Sequence, residues 1–133
     1  GDVEMLYTQG IYIDGMYFDV PLVSVKREAK VLDKFAEREE ESGDMLRELL
    51  GVYLNYTMNF GTIDDDDLYE SLFDKLTEPV AFHDVTLPST KKSYTFKCYV
   101  SSVSDEMEKI MDDTVKFKGL TCKYIAKAPW RTP

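Results

Sequence analysis

The chain has 133 residues, 44% of them apolar, and its 16 basic against 25 acidic residues give a formal charge of −9. That length suits one domain with a real core, and the apolar share excludes a disordered tail. The negative balance is a poor grip for nucleic acid, because phosphate affinity rests on Lys and Arg, and no apolar run approaches the roughly 18–20 residues that span a bilayer.

The segment Gly1 to Met5 is acidic and lacks the apolar stretch of a signal peptide. Asp14-Gly15 then stands between two apolar triplets, Ile11-Tyr12-Ile13 and Met16-Tyr17-Phe18, which predicts a tight two-residue hairpin. Pro21 marks a bend. Leu22 to Ala29 alternates as a strand, with Val23 and Val25 on one face. In residues 30–44, Val31, Leu32 and Phe35 have the spacing of a short helical face. The charged run from Glu37 to Glu41 and the turn residues Ser42-Gly43-Asp44 favour a solvated arm or hairpin excursion instead.

Leu50, Val52, Leu54, Tyr56, Met58 and Phe60 share one parity. Period two held that long predicts an extended strand with one buried face. It would run roughly 36 Å at about 3.3 Å per residue, a length that suits a barrel or a twisted sandwich. Leu68, Tyr69, Leu72, Phe73 and Leu76 then fall on one face of a helix over about 64–76. Asp64 to Asp67 complement its dipole and Pro79 ends it.

Val80 to Leu87 reads as a strand, Ser89 to Lys92 as a turn, and Tyr94 to about Val103 as a second half-buried strand. Asp105 to Asp113 reads as an acidic connection with a helical turn. Thr114 to Lys127 reads as a last strand whose parity switches at Gly119, which predicts a β-bulge there. Residues 1–8 and 128–133 read as flexible tails. The expected fold is mainly β (α+β), a single domain over 1–133. It is an antiparallel β-sandwich or split barrel with one flanking helix.

Signals of chemistry are weak. His83 is the single histidine, without the Cys or His spacing of a metal site, and reads as an ordinary polar strand position. The Asp64–Asp67 run lacks the Gly and later ligands of a calcium loop. Phosphate loops and nucleophile elbows are absent from the sequence. The expectation is therefore no catalytic residue, no cofactor and no metal. Cys98 and Cys122 lie in alternating apolar segments and read as reduced core residues, bridged only if their strands are neighbours at matching height. Tyr53 and Tyr99 fall on the solvent parity of their strands, a placement enriched at interfaces. Together with Val31, Leu32 and Phe35 of the arm they form the candidate self-assembly surface.

Four stretches resemble a family encoded in prophages of Gram-positive bacteria, among tail-assembly genes: Gln9 to Gly15, Arg47 to Tyr53, Tyr69 to Val80, and Ala126 to Pro129. The element order also resembles phage tail tube proteins and the N-terminal domain of distal tail proteins, a fold-level analogy. The resemblance implies a non-enzymatic part of a phage tail, assembled in the bacterial cytoplasm. It implies a homo-oligomeric ring, hexameric in such proteins, that contacts other tail proteins, with no membrane and no sequence-specific nucleic acid. An acidic surface would suit a lumen that DNA slides through. The alternative from another class is a β-barrel carrier with an apolar pocket for a small ligand.

Overall fold

A computed structural model describes residues 10–88, 93–110 and 114–133. The chain runs β1 (Ile11–Ile13), β2 (Met16–Phe18), β3 (Leu22–Arg38), β4 (Met45–Phe60), α1 (Asp66–Leu76), β5 (His83–Pro88), β6 (Ser93–Ile110) and β7 (Thr114–Ala126). The strands form one seven-stranded sheet in the order β2-β1-β5-β6-β7-β4-β3, with every neighbour antiparallel. The mainly-β class with one helix is as expected, and the sheet is rolled without closing into a barrel.

The roll follows from chain length. β2 and β3 are the two edges of the sheet, yet only Asp19 to Pro21 separate Phe18 from Leu22. Four residue steps reach at most about 14 Å, whereas the edges of a flat sheet of this size would stand about 29 Å apart at about 4.8 Å per strand. The edges must therefore curl toward each other. The Gly61 N–H, donating to the Pro21 carbonyl at 2.8 Å, holds the junction. The curl also brings Tyr56 of β4 within 5.3 Å of the Phe96 ring, two strands away on β6.

The concave face holds the core. Ile11, Ile13, Met58, Val85, Leu87 and Tyr124 are fully buried there. α1 covers it with Tyr69, Leu72 and Leu76. The Asp65 carboxylate caps that helix, accepting from the Asp67 and Leu68 N–H groups at 3.0 and 3.1 Å. Asp66 and Asp67 in its first turn and Lys75 in its last complement the dipole. The acidic run thus serves as a helix start.

Beyond the body, two hairpins leave as arms. β3–β4 is paired from Leu22↔Phe60 out to Arg38↔Met45. β6–β7 is paired from Cys98↔Ala126 out to Ile110↔Thr114. β4 meets β7 only over Tyr56↔Tyr124 to Asn59↔Thr121. Because that pairing is antiparallel, the turn of one hairpin lies beyond the opposite end of the other. The arms therefore project from opposite ends of the sheet.

Several expectations need correction. Residues 30–38 are strand and form with β4 the hairpin excursion expected of 30–44, and the alternative, a short helix through Val31, Leu32 and Phe35, falls: bulges between Leu32 and Phe35 break the period of two. Another irregularity between Leu22 and Ser24 separates Val23, which is 72% exposed, from Val25, which packs on the core. Val80 to Phe82 precede β5 and are not strand. Asp105 to Ile110 continue β6, because β7 offers them a partner, and hold no helical turn. The expected bulge is on β7, where Gly119, with a φ of +66°, and Leu120 together face the single residue Asp105 between Ser104 and Glu106. Segment 1–8, the turn at 89–92 and residues 111–113 lie outside the described residues.

The last residues are exposed, as expected, but are tied to the body. Val52 donates to the Arg131 carbonyl and accepts from Trp130, each at 2.8 Å, which lays the tail along β4. Gly51 makes room for it. Its φ is +152°, and a Cβ there would meet the Arg131 carbonyl and the Pro129 side chain, each at 2.7 Å. Gly51→Ala is expected to cost about 1–3 kcal/mol from backbone strain and the lost fit. Gly43→Ala at the arm turn, where φ is +78° but a Cβ meets nothing within 4 Å, keeps the backbone strain without the clash and should cost less. Urea unfolding followed by circular dichroism compares them; equal losses would contradict the role given to the tail.

Candidate functional site

The β1–β2 turn, the end of α1 and the start of β5 bring four ionisable side chains together. Asp14 has the φ of +51° that the hairpin turn demands. Its carboxylate accepts from the Asp84 N–H at 2.8 Å and meets His83 Nδ1 at 2.6 Å. The Asp14 N–H donates in turn to the Asp84 carbonyl at 2.7 Å. Lys75 Nζ stands 3.4 Å from Asp14 and 3.0 Å from Glu78. His83, only 3% exposed, is buried in this cluster. It is not the ordinary polar position its sequence context suggests. Its Asp14 partner lies 69 positions away, so local spacing gave no signal.

Burial pushes the Asp14 carboxyl up, but the hydrogen bond from His83, the Asp84 N–H and the charges of His83 and Lys75 outweigh it and hold the group below its ordinary 3.8. Ligand atoms of Asp14, Glu78 and His83 lie within 4.8 Å of one another, near enough to share a cation. The Lys75 ammonium already bridges the two carboxylates and offsets one of their two charges. Cys98, the register partner of His83, could be taken for a nucleophile. Burial, aided by Cys122, Asp14 and Asp84, pushes its thiol up to about 12, which leaves it protonated and inert. Cys122 is likewise pushed to about 12 by burial. The two thiols are free, on adjacent strands, and out of register: Cys98 faces Ala126 and Cys122 faces Val103. The cluster is best described as a polar lock that joins turn, helix and strand.

The surfaces are more distinctive. On the β3–β4 arm, Val31, Leu32 and Phe35 are joined by Met45, Leu46, Leu49 and Leu50 of β4, all between 39% and 50% exposed. Met45, Leu46 and Leu49 precede the alternation from Leu50 to Phe60, and Leu50, expected on its buried face, is exposed because β4 meets β7 only from Tyr56; the first buried apolar side chain of β4 is Leu54. Tyr53 and Tyr99 lie elsewhere, on the outer face of the sheet, opposite Lys30 and Ile125 respectively. Val31 and Leu32 are successive in register and point to opposite faces, Leu32 to the face of Tyr53, so the five candidate residues form no single patch.

The outer face is polar. Thr121 donates to Asn59 and Asn59 to Ser24, each at 2.7 Å, a chain of bonds across β7, β4 and β3. A shallow cleft of about 200 Å³ on this face is lined by Lys26, Glu28, Lys30, Asn55, Thr57, Lys123 and Ile125. The strands' charged residues here are Lys26, Lys30, Lys97 and Lys123 against Glu28 and Asp84 over the body, and Lys116 and Lys118 opposite Glu108 and Glu106 on the β6–β7 arm. The acidity expected to line a lumen is therefore not on this face. A second cleft, about 190 Å³, lies between α1 and β7 and includes Ile63, Asp66, Tyr69 and Phe117. There Tyr69 stacks on Phe117 at 6.1 Å and donates to Asp105 at 2.7 Å, fixing the helix to the root of the β6–β7 arm. Among the described residues, no helix is long and apolar enough to cross a membrane.

No protein-family model and no curated protein matches the chain. Among solved structures, a chain of the virion of a native gene transfer agent particle is similar in outline, at 14% identity and a TM-score of 0.48, with 92% of this chain and 94% of that chain covered. A likeness at that score does not bear on role.

The lock has a pH signature. A carboxyl held low in the folded state stabilises above its unfolded value, near 3.8, and that contribution is lost as pH falls through the folded value. Asp14→Asn is expected to destabilise the protein at neutral pH by about 1–3 kcal/mol, because it weakens the pairing of a buried His. It should also flatten the fall in stability below about pH 4. Urea midpoints measured across pH test both; an unchanged acid limb would show that Asp14 does not carry the effect.

Proposed function

We propose that the chain is a non-enzymatic structural component of a bacteriophage or prophage tail, and that it assembles with copies of itself into a ring through sheet edges and the β3–β4 arm. The observation that carries this is the arm: a hairpin leaving the body with seven large apolar side chains at least 39% exposed. They lie on both faces of the ribbon, since Val31 and Leu32, like Met45 and Leu46, are successive in register, and exposed apolar side chains gathered on one projecting hairpin mark a contact region. β3 adds a second reason. It is an edge strand of 17 residues, and such an edge presents unpaired backbone groups to a neighbour. A closed ring covers both without leaving a free edge. The tail assignment itself rests on the sequence resemblance. The further tail partners rest on that resemblance too, which leaves tube, distal ring, terminator and connector as places in the tail.

The carrier alternative finds less support. Its pocket would lie on the concave face, which the core fills. Among the described residues, two surface clefts of about 190 and 200 Å³ fall below the roughly 300 Å³ at which ligand pockets begin. Among the described residues, the His83–Asp14 pair is tied into the lock, with Asp14 also bound by Lys75 and the Asp84 N–H.

Light scattering coupled to sizing is expected to give a mass that is a multiple of 15.3 kDa and rises with concentration. Phe35→Asp combined with Leu46→Asp should return the chain to a monomer and leave the melting temperature of the body nearly unchanged, since both positions are exposed on the arm. A strict monomer at high concentration in the unmodified chain would overturn the proposal.

A further inference from the structure

We propose that the lysine-bearing outer face of the sheet receives the acidic tip of the β3–β4 arm from a second copy of this chain. The inference rests on the self-assembly reading above and assigns one of its contacts. Its basis is charge. The tip carries Glu37, Glu39, Glu40, Glu41 and Asp44 against Arg38, all exposed. Arg38 is engaged inside the turn, donating to the Gly43 carbonyl at 2.8 Å. The turn is also closed by the Glu39 N–H to the Asp44 carbonyl at 2.7 Å and the Gly43 N–H to the Glu39 carbonyl at 2.8 Å. The acids are thus presented by a formed turn.

The face is the opposite case. In a chain of net charge −9, Lys26, Lys30 and Lys123 meet at one cleft across β3, β4 and β7, and Glu28 is the acid beside them. Glu28 lies 3.6 Å from Lys30, which leaves Lys26 and Lys123 as the cations facing the cleft without an ion pair among the described residues. Asn55 and Thr57 supply neutral polar groups between them.

The tip cannot reach this cleft in its own chain. The ladder from Lys30↔Tyr53 to Arg38↔Met45 is paired, which sets the tip about 30 Å from Lys30 at about 3.3 Å per residue. The donor must come from another copy. Tip and cleft are different patches, so the contact is head-to-tail and each copy can give and receive at once. Exposed ion pairs contribute little bulk affinity and mainly set orientation and on-rate. The exposed apolar side chains of the same arm would supply the rest of the contact.

The test is a charge swap in the full chain, read by sedimentation velocity at low and high salt. Glu39→Lys/Glu40→Lys/Glu41→Lys and Lys26→Glu/Lys30→Glu/Lys123→Glu should each weaken self-association on the order of tenfold or more at low salt, and an equal mixture of the two should regain it. High salt should weaken the unmodified chain in the same direction. Lys→Gln versions at the same positions guard against misfolding from reversed charges, with thermal melts alongside. Undiminished association in either variant, or a mixture no better than its parts, overturns the contact. So does binding of a DNA oligonucleotide by the unmodified chain that the lysine variant loses and the tip variant keeps. If Phe35→Asp/Leu46→Asp abolishes association and the charge variants do not, self-assembly stands and this contact falls. If the unmodified chain never associates, both fall together.

Discussion

The three residues Asp19 to Pro21 constrain everything else in this fold. They join opposite edges of a seven-stranded sheet, and so short a link forces the sheet to roll. Rolling creates a concave face narrow enough for an 11-residue helix to cover. One face of one sheet then makes a core with little help from other layers. The roll also determines which strands leave the body. Strands confined to the rolled part are short, as β1, β2 and β5 are. The four that outrun it can pair only with their hairpin partners and become arms.

The polar lock belongs to the same constraint. β1, β2 and β5 total 12 strand residues, too few to hold their end of the sheet by ladder bonds alone. Asp14 compensates by bonding both backbone and side chain of β5 and by facing Lys75 at the end of the helix. One carboxylate thereby fixes a turn, a strand and a helix terminus. A buried histidine beside an aspartate looks like chemistry, but here each group has its structural use, and the nearby thiol is held in its unreactive form by burial.

The sequence revealed whatever was governed by local pattern. The Asp14-Gly15 turn, the buried parity of Leu54 to Phe60, the helix with its acidic start and the bulge at Gly119 all depend on neighbours a few residues away. Long-range pairing obscured the rest. Lys30 to Arg38 and Asp105 to Ile110 are rich in Glu, Lys and Arg, which carry no strand preference, and they are extended because a partner strand is present. Bulges around Asp33 scrambled the alternation further. His83 and Asp14 gave no hint of each other, being joined only by the β1–β5 pairing. The division of the candidate surface also depended on which strand face looks outward, which a bulge can reverse.

The arms raise a question of energy that leads back to assembly. A two-stranded ribbon by itself is marginal in water, and the outer part of the β3–β4 arm has little beyond its ladder. Its Asp33–Arg47 ion pair is exposed and of a kind that contributes about 0–1 kcal/mol. The apolar side chains from Val31 to Leu50 contribute only in part, because each still meets water. Such a segment belongs to the least stable part of the molecule. Covering the same side chains with a neighbour would turn that deficit into contact energy at about 25 cal/mol per Å² of apolar area removed from water. A sequence that only had to fold alone would gain by shortening this hairpin or making it polar. Retaining a long ribbon, apolar along its length and acidic at its tip, makes physical sense for a chain whose final environment includes another surface.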